Sequence, residues 1–282
     1  MIKQQWRQMM NWKTIWTAAA AALAISTALF AAGCGDEKSG AAAGAKTYVV
    51  ATRGTAKPFS YVDDKGNLTG YDVEILKEIE KRNPKLHFEF KSMATDAAFV
   101  AMDAGQVDLI ANQMRKSPAR EKKYIFPKEI NNYSVRKLVV KTGSDIKTLN
   151  DLKGKTVAVT TNSEFNDYVK KFNETADPKI NVIYTDKGSA ETLNLVATGR
   201  ADAAGEYEYI VTSAVKDRGL PVQSVGDTLM VVPTYFVIRK SDGSQALADE
   251  IDKALSAMKA DGTLRKISNT YLGGDYTVEP KK

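Results

Sequence analysis

From Lys46 onward, short apolar runs alternate with stretches whose apolar residues recur every three or four positions. "TYVVAT" (47–52) is a continuous run stopped by Arg53-Gly54 and reads as a buried strand. "GYDVEILKEIEKR" (70–82) carries Val73, Ile75, Leu76 and Ile79 at helical spacing, with Asp72 and Glu74 in the first turn, where the helix dipole favours anions. "LHFEFK" (86–91) alternates as a strand, "DAAFVAMDAG" (96–105) is a short helix closed by Gly105, and "VDLIAN" (107–112) is a third strand. Strand, helix, strand, helix, strand is the order of a parallel sheet covered by helices.

The pattern restarts near residue 140. "LNDLKGKTVAVT" (149–160) is a turn and a strand, and a helix is expected from Ser163 to Phe172. "INVIYT" (180–185), "SAETLNLVATGR" (189–200) and "ADAAG" (201–205) repeat strand, helix, strand. Two further segments, "RKLVVK" (136–141) and "TLMVVPTYFVIRK" (228–240), read as extended and flank this second α/β unit. Leu247, Ile251, Leu255 and Met258 form an apolar stripe on the first of two terminal helices, broken at Asp261-Gly262.

The start of the chain has a different character. Lys3, Arg7 and Lys13 precede the apolar "TIWTAAAAALAISTALFAAG" and then Cys34, the one cysteine of the sequence. A charged entry, an apolar middle and small residues form a secretory leader, expected here over 1–33. The stretch is also nearly long enough for a membrane-spanning anchor. Ala31-Ala32-Gly33-Cys34 resembles the lipobox of bacterial lipoproteins, although Ala31 stands where that family prefers Leu. The resemblance implies lipidation of Cys34, a membrane-anchored extracytoplasmic location, and a flexible tether over 34–45. Without the leader's three cations, 37 of the 40 Lys and Arg remain against 34 acids, which is no nucleic-acid signature. With one cysteine no intrachain disulfide forms, so the fold rests on its core.

"GYDVEILKEI" (70–79), "DLKGKTVAV" (151–159) and "ADGTLRKISNTYLG" (260–273) resemble motifs of the bacterial extracellular solute-binding proteins of family 3, which serve polar amino-acid ABC importers. Glu80 departs from the small residue the family carries after the first motif. Within the family, "VDLIANQM" with "GYDVE" and "DYT" is most similar to binders of cystine and related sulfur amino acids. The resemblance implies a two-lobed, periplasmic-binding-protein-like α/β fold of type II, with two α/β domains joined by a two-strand hinge. Lobe one would span 46–137 plus 236–282, and lobe two 138–235. The implied function is capture of an amino acid by hinged closure and delivery to ABC transporter permease subunits. A monomer without cofactor or metal is expected.

Ligands of open parallel sheets sit beyond the carboxyl ends of the strands. Asn112, Gln113 and Arg115 follow such an end and are expected to face the cleft. Arg120 matches the family's α-carboxylate clamp, a role suited to the planar donor fork of a guanidinium; alone it would read as a solvated charge beside Lys122 and Lys123. Arg115 stands where relatives often carry Ser or Thr, which leaves it to read a second acidic group. Arg53, Phe59 and Tyr61 follow the first strand, where relatives place contacts; Phe59 and Tyr61 equally suit ordinary core packing. Thr160, Thr161 and Ser163 precede a helix whose free N–H groups favour an anion, and Ser163 also suits a simple N-cap.

The acid that relatives use for the ligand ammonium is replaced by Tyr207, with Glu206 beside it as a shifted carboxylate. His87 is the sole histidine and lies mid-strand, which argues against a metal cluster or a Ser-His-Asp triad. Two other readings remain at this level. One is a dehydratase of cyclic acids on the same fold, with Glu206 as its acid, and the other is a sensory or surface lipoprotein outside transport.

Overall fold

The computed structural model describes residues 44–280 except Asn162; the expected leader, Cys34 and nearly all of the tether lie outside these residues. The first half opens with β1 (Lys46–Thr52), then a small antiparallel sheet of β2 (Thr55–Ala56), β3 (Ser60–Val62) and β4 (Leu68–Thr69). It continues with α1 (Tyr71–Arg82), β5 (Leu86–Ser92), α2 (Thr95–Asp103), β6 (Leu109–Met114), α3 (Pro118–Lys123) and β7 (Tyr124–Ile125). β8 (Asn132–Lys141) leads through a one-turn 3-10 helix (Asn150–Leu152) to β9 (Thr156–Thr160), α4 (Glu164–Asn173) and β10 (Asn181–Thr185). α5 (Ser189–Ala197), β11 (Ala203–Tyr207) and α6 (Glu208–Arg218) follow, then β12 (Val222–Arg239), α7 (Ser244–Ala260) and α8 (Thr263–Leu272).

Both expected parallel triples form, β5-β1-β6 and β10-β9-β11. The sheets are nevertheless mixed, because the two extended segments join them as antiparallel members. β12 pairs with β8 over Val222–Thr234 and with β6 over Tyr235–Ile238, and β8 pairs with β11. The register of β12 shifts between Val225 and Met230. Gly226 sits in this irregularity at a φ of 69°, and a Cβ there would run into the Lys147 carbonyl.

Period-two alternation on β8 divides the second core. Leu138 and Val140 pack with Val157, Val159, Phe165 and Val169 on the α4 side, whereas Val139 packs with Ala158, Leu193, Val196 and Val211 on the other. In the first half, Val50, Leu109 and Phe236 meet α1, α7 and α8 through Ile75, Leu76, Ile79, Ile251, Leu255, Met258 and Leu264. Ala51, Ile110 and Val237 face α2 through Ala98 and Met102. The departure at Glu80 has a local use: its carboxylate meets Nδ1 of His87 at 2.9 Å and accepts the Phe88 N–H at 3.0 Å, tying α1 to β5.

Two elements differ from the pattern-based expectation. α6 went unread because β11 passes into it without an intervening Gly or Pro, and only Tyr209, Val211 and Ala214 of it are buried. β6 runs to Met114 rather than ending at Asn112, because Tyr235 of β12 pairs with Met114. Gln113 therefore lies inside the strand, in the left-handed region at φ 53°, which a non-glycine residue occupies only when other contacts hold it.

Those contacts come from Asp72, which is fully buried. Its Oδ1 accepts Gln113 Nε2 at 2.6 Å, while its Oδ2 is buried without a partner among the described residues. Thr234 of β12 donates to Gln113 Oε1 at 3.3 Å. Burial pushes the Asp72 carboxyl up to about 7, against the pull of the Gln113 hydrogen bonds. An acid that holds its proton more tightly when folded contributes most below its unfolded value near 4, and that contribution is lost as the pH rises through 7. Urea unfolding at pH 5 and pH 8 should therefore show the parent losing about 2–3 kcal/mol more than Asp72→Asn over this interval. Equal losses in the two proteins would remove Asp72 as the source.

Candidate functional site

The carboxyl ends of the two parallel triples meet. Arg115, just past β6, forms an ion pair with Glu164 in the first turn of α4, and Tyr207 at the end of β11 donates to the other oxygen of Glu164 at 3.4 Å. Lys57 and Asp217 of α6 form a second ion pair between the halves at 3.0 Å. Phe59 meets Tyr209 edge-to-face at 4.6 Å between ring centres.

Behind this junction lies a cavity of about 170 Å³ lined by Arg136, Thr160, Ser163, Ser189, Thr192 and Glu206, among others. Ser163 caps α4 by accepting the Asn166 N–H at 3.2 Å, so the capping reading of this residue holds while the residue also lines the cavity. Gly205 gives the Phe165 ring room beside the cavity, since a Cβ there would collide with it. Glu206 is buried, and its oxygens accept Ser189 Oγ at 2.8 Å and Thr192 Oγ1 at 2.7 Å. Desolvation raises its pKa, opposed by these hydroxyls and by the positive charge of Arg136.

The expected residues divide into three groups. Thr160, Ser163 and Glu206 line the cavity, with Tyr207 at its edge through Arg136, whose guanidinium lies over the Tyr207 ring at 4.3 Å. Asn112 and Gln113 instead hold the strand ends: Asn112 Oδ1 accepts the Arg53 N–H at 3.0 Å, and Gln113 is held by Asp72. The Arg53 side chain is exposed and makes no hydrogen bond or ion pair among the described residues.

Four placements lie away from the cavity. Phe59 is core, packed edge-on against Tyr71 and Tyr209, because a large apolar ring gains most where water is excluded on all sides. Tyr61 lines a separate groove of about 240 Å³ with Lys57, Tyr209 and Tyr271, since β3 turns it away from the strand ends. Thr161 faces β10, where its N–H and hydroxyl both go to the Thr185 carbonyl. Arg115 is spent on Glu164 rather than left open, as opposite charges on facing ends pair.

Arg120, on α3, is partly buried. Its Nη1 donates to the Arg115 carbonyl at 3.2 Å and its guanidinium lies 5.2 Å from the Phe99 ring centre, with no carboxylate partner among the described residues. Arg136, Ser189 and Thr192 were missed by sequence reasoning. No alternation marks the first, because β8 is buried on both faces, Val135 and Val139 as well as Arg136, Leu138 and Val140.

Among the described residues no cluster of His, Cys, Asp and Glu is able to hold a metal ion, and no helix is long and apolar enough to cross a membrane. The sequence pattern of the bacterial extracellular solute-binding proteins, family 3, matches residues 48–274. Two Bacillus subtilis relatives are L-cystine-binding proteins: TcyJ, 37% identical over 89% of this chain and 93% of its own length, and TcyK, 38% identical over 90% and 94%. Among solved structures, the probable amino-acid ABC transporter extracellular-binding protein ytmK of Bacillus subtilis superposes with a TM-score of 0.75 at 37% identity, covering 82% of this chain and all of that one. The unliganded, open L-cystine solute receptor of Neisseria gonorrhoeae superposes with a TM-score of 0.71 at 30% identity, covering 83% and 95%. With two mixed sheets joined by shared strands and a polar cavity at the carboxyl ends of the second triple, the chain belongs to the bacterial extracellular solute-binding proteins of family 3 and has the two-lobed type II fold.

Proposed function

We propose that this protein is the substrate-binding component of an ABC importer that closes two lobes over an amino acid, with L-cystine or another polar amino acid as ligand. One observation carries this reading. A buried carboxylate, Glu206, lines the cavity at the meeting strand ends, while the partly buried guanidinium of Arg120 on the other half has no carboxylate of its own among the described residues. These charges suit the ammonium and a carboxylate of an amino acid, and relatives over most of the chain are named as binders of L-cystine. The lobes of this reading are 46–137 plus 236–282 and 138–235, with β8 and β12 as hinge. A lipid anchor on Cys34 belongs to the same proposal, supported by the "AAGC" stretch.

Binding is read by thermal shift of the full chain in mild detergent against the amino acids and L-cystine. Ligand at a hundred times its Kd stabilises by about 2.7 kcal/mol, so one compound should raise Tm by roughly 5–10 °C. Arg120→Met should weaken that ligand about 100-fold or more, since a bidentate charged contact is lost. No shift with any amino acid would sink the proposal.

The two ion pairs between the halves, Lys57–Asp217 and Arg115–Glu164, are half exposed on their basic sides and each contributes about 0.2–1 kcal/mol. Closure depends on such differences between open and closed states. The double variant Lys57→Met/Arg115→Met should bind up to about tenfold more weakly, and the gap should narrow at high salt. Calorimetry at two salt concentrations checks both; a salt-independent gap would contradict a role for these pairs. For the anchor, labelled palmitate should be incorporated into the parent chain and not into Cys34→Ser, and equal labelling of the two would refute lipidation there.

A further inference from the structure

The backbone that carries Arg120 is fixed at both ends of its short helix. Ser117 Oγ accepts the Arg120 N–H at 3.3 Å, and Lys240 Nζ donates to the carbonyls of Glu121 and Lys122 at 3.2 and 2.7 Å. A long side chain on a fixed backbone still samples many rotamers, and a ligand that stops this motion bears the entropy cost. A neighbouring carboxylate would restrain the guanidinium, but it would also compete with the ligand for it. None pairs with Arg120 among the described residues.

An aromatic face takes that place. The guanidinium lies over the ring of Phe99 on α2, 5.2 Å from its centre, and the Phe99 ring packs against Tyr124 at 5.3 Å. Both rings are themselves held. Phe99 packs onto the cluster of Ala98, Met102, Ile110 and Val237, and Tyr124 is buried and donates to Asp103 Oδ1 at 2.8 Å. Asp103 stands on the same helix as Phe99, yet its carboxylate is engaged by the Tyr124 hydroxyl and by Lys123 Nζ at 3.8 Å. A ring face attracts a cation through its quadrupole and uses up no N–H group. One N–H of Arg120 goes to the Arg115 carbonyl at 3.2 Å, and the rest of the donor fork has no acceptor among the described residues.

We propose that Phe99 is a positioning residue for the carboxylate clamp: its ring, backed by Tyr124, holds the Arg120 guanidinium in place before the ligand arrives. This rests on the amino-acid-binding reading above, in which Arg120 takes a ligand carboxylate, and deepens it. The rotamer freedom that a loose arginine would lose on binding is lost on folding instead, so affinity rises without a new ligand contact. Phe99 acts through Arg120.

The test is calorimetric titration of the full chain in mild detergent with L-cystine, or with the amino acid of largest thermal shift should L-cystine give none. Phe99→Leu, which keeps an apolar side chain but no ring face, should weaken binding about 3–5-fold, and Phe99→Tyr should bind as the parent does. An Arg120→Met background separates positioning from structure. There Phe99→Leu should weaken binding no further, whereas a general structural role would weaken it equally in both backgrounds. A second readout needs no ligand: the Nε–H proton resonance of Arg120, identified by its loss in Arg120→Met, should lie upfield through the ring current. Phe99→Tyr should keep that displacement, and the parent alone decides it should Phe99→Leu fail to fold. Unchanged affinity in Phe99→Leu, an equal loss in both backgrounds, or an undisplaced Arg120 resonance overturns the positioning role and leaves the importer reading standing. Arg120→Met that binds as the parent does overturns the clamp and the positioning role with it. A parent that binds no amino acid overturns the importer reading as well.

Discussion

The antiparallel pairing of β8 with β12 is the constraint on which the rest of the molecule depends. β12 is 18 residues long and belongs to both sheets, with β8 beside it over most of that length and β6 beside its end. Each parallel triple is short and would leave an edge of unpaired N–H and C=O groups. The shared pair covers one edge of each triple. It also makes the carboxyl ends of both triples converge, since one continuous strand serves both. That convergence, rather than any single side chain, creates the site.

Polar groups at the converging ends follow two regimes. On the first half they are tied to one another: Asp72 holds Gln113, Gln113 meets Thr234, and Asn112 takes the Arg53 N–H, while Asp72 Oδ2 and Asn112 Nδ2 stay without partners among the described residues. These residues are buried or partly buried, and they keep a strand end with a left-handed Gln113 in place. On the second half the accounting does not close. Glu206 has two hydroxyl partners and no cation paired to it, and Arg136 has an aromatic face and no acceptor.

Pattern made the two parallel triples, both extended crossovers and the terminal helices legible, because the central strands are buried on both faces and read as continuous apolar runs while the helices bury one stripe. The motifs at 70–79, 151–159 and 260–273 carried the family. Thr160, Ser163 and Glu206, singled out from the sequence, line one cavity. Phe59, Tyr61 and Thr161 did not follow, because adjacency to a strand end says nothing of which way a side chain turns; packing against Tyr209, the small sheet and β10 settled each of them. Arg136 was hidden inside a run read only as extended, since both faces of β8 are buried and no alternation marks it.

What the linear order of residues decides in this protein is local and periodic: which segments are strands or helices, and which faces are apolar. Those properties follow from the backbone's fixed repeats of two and 3.6 residues and need no partner. Pairings between distant segments decided the remainder. Whether Arg115 meets solvent or Glu164, and whether Arg136 finds an anion or only the face of Tyr207, depends on groups 49 and 71 positions away in the chain, brought close by β8, β11 and the helices that follow the strands. Charges act through space, and their partners are set by the folded arrangement rather than by the order in which they are strung.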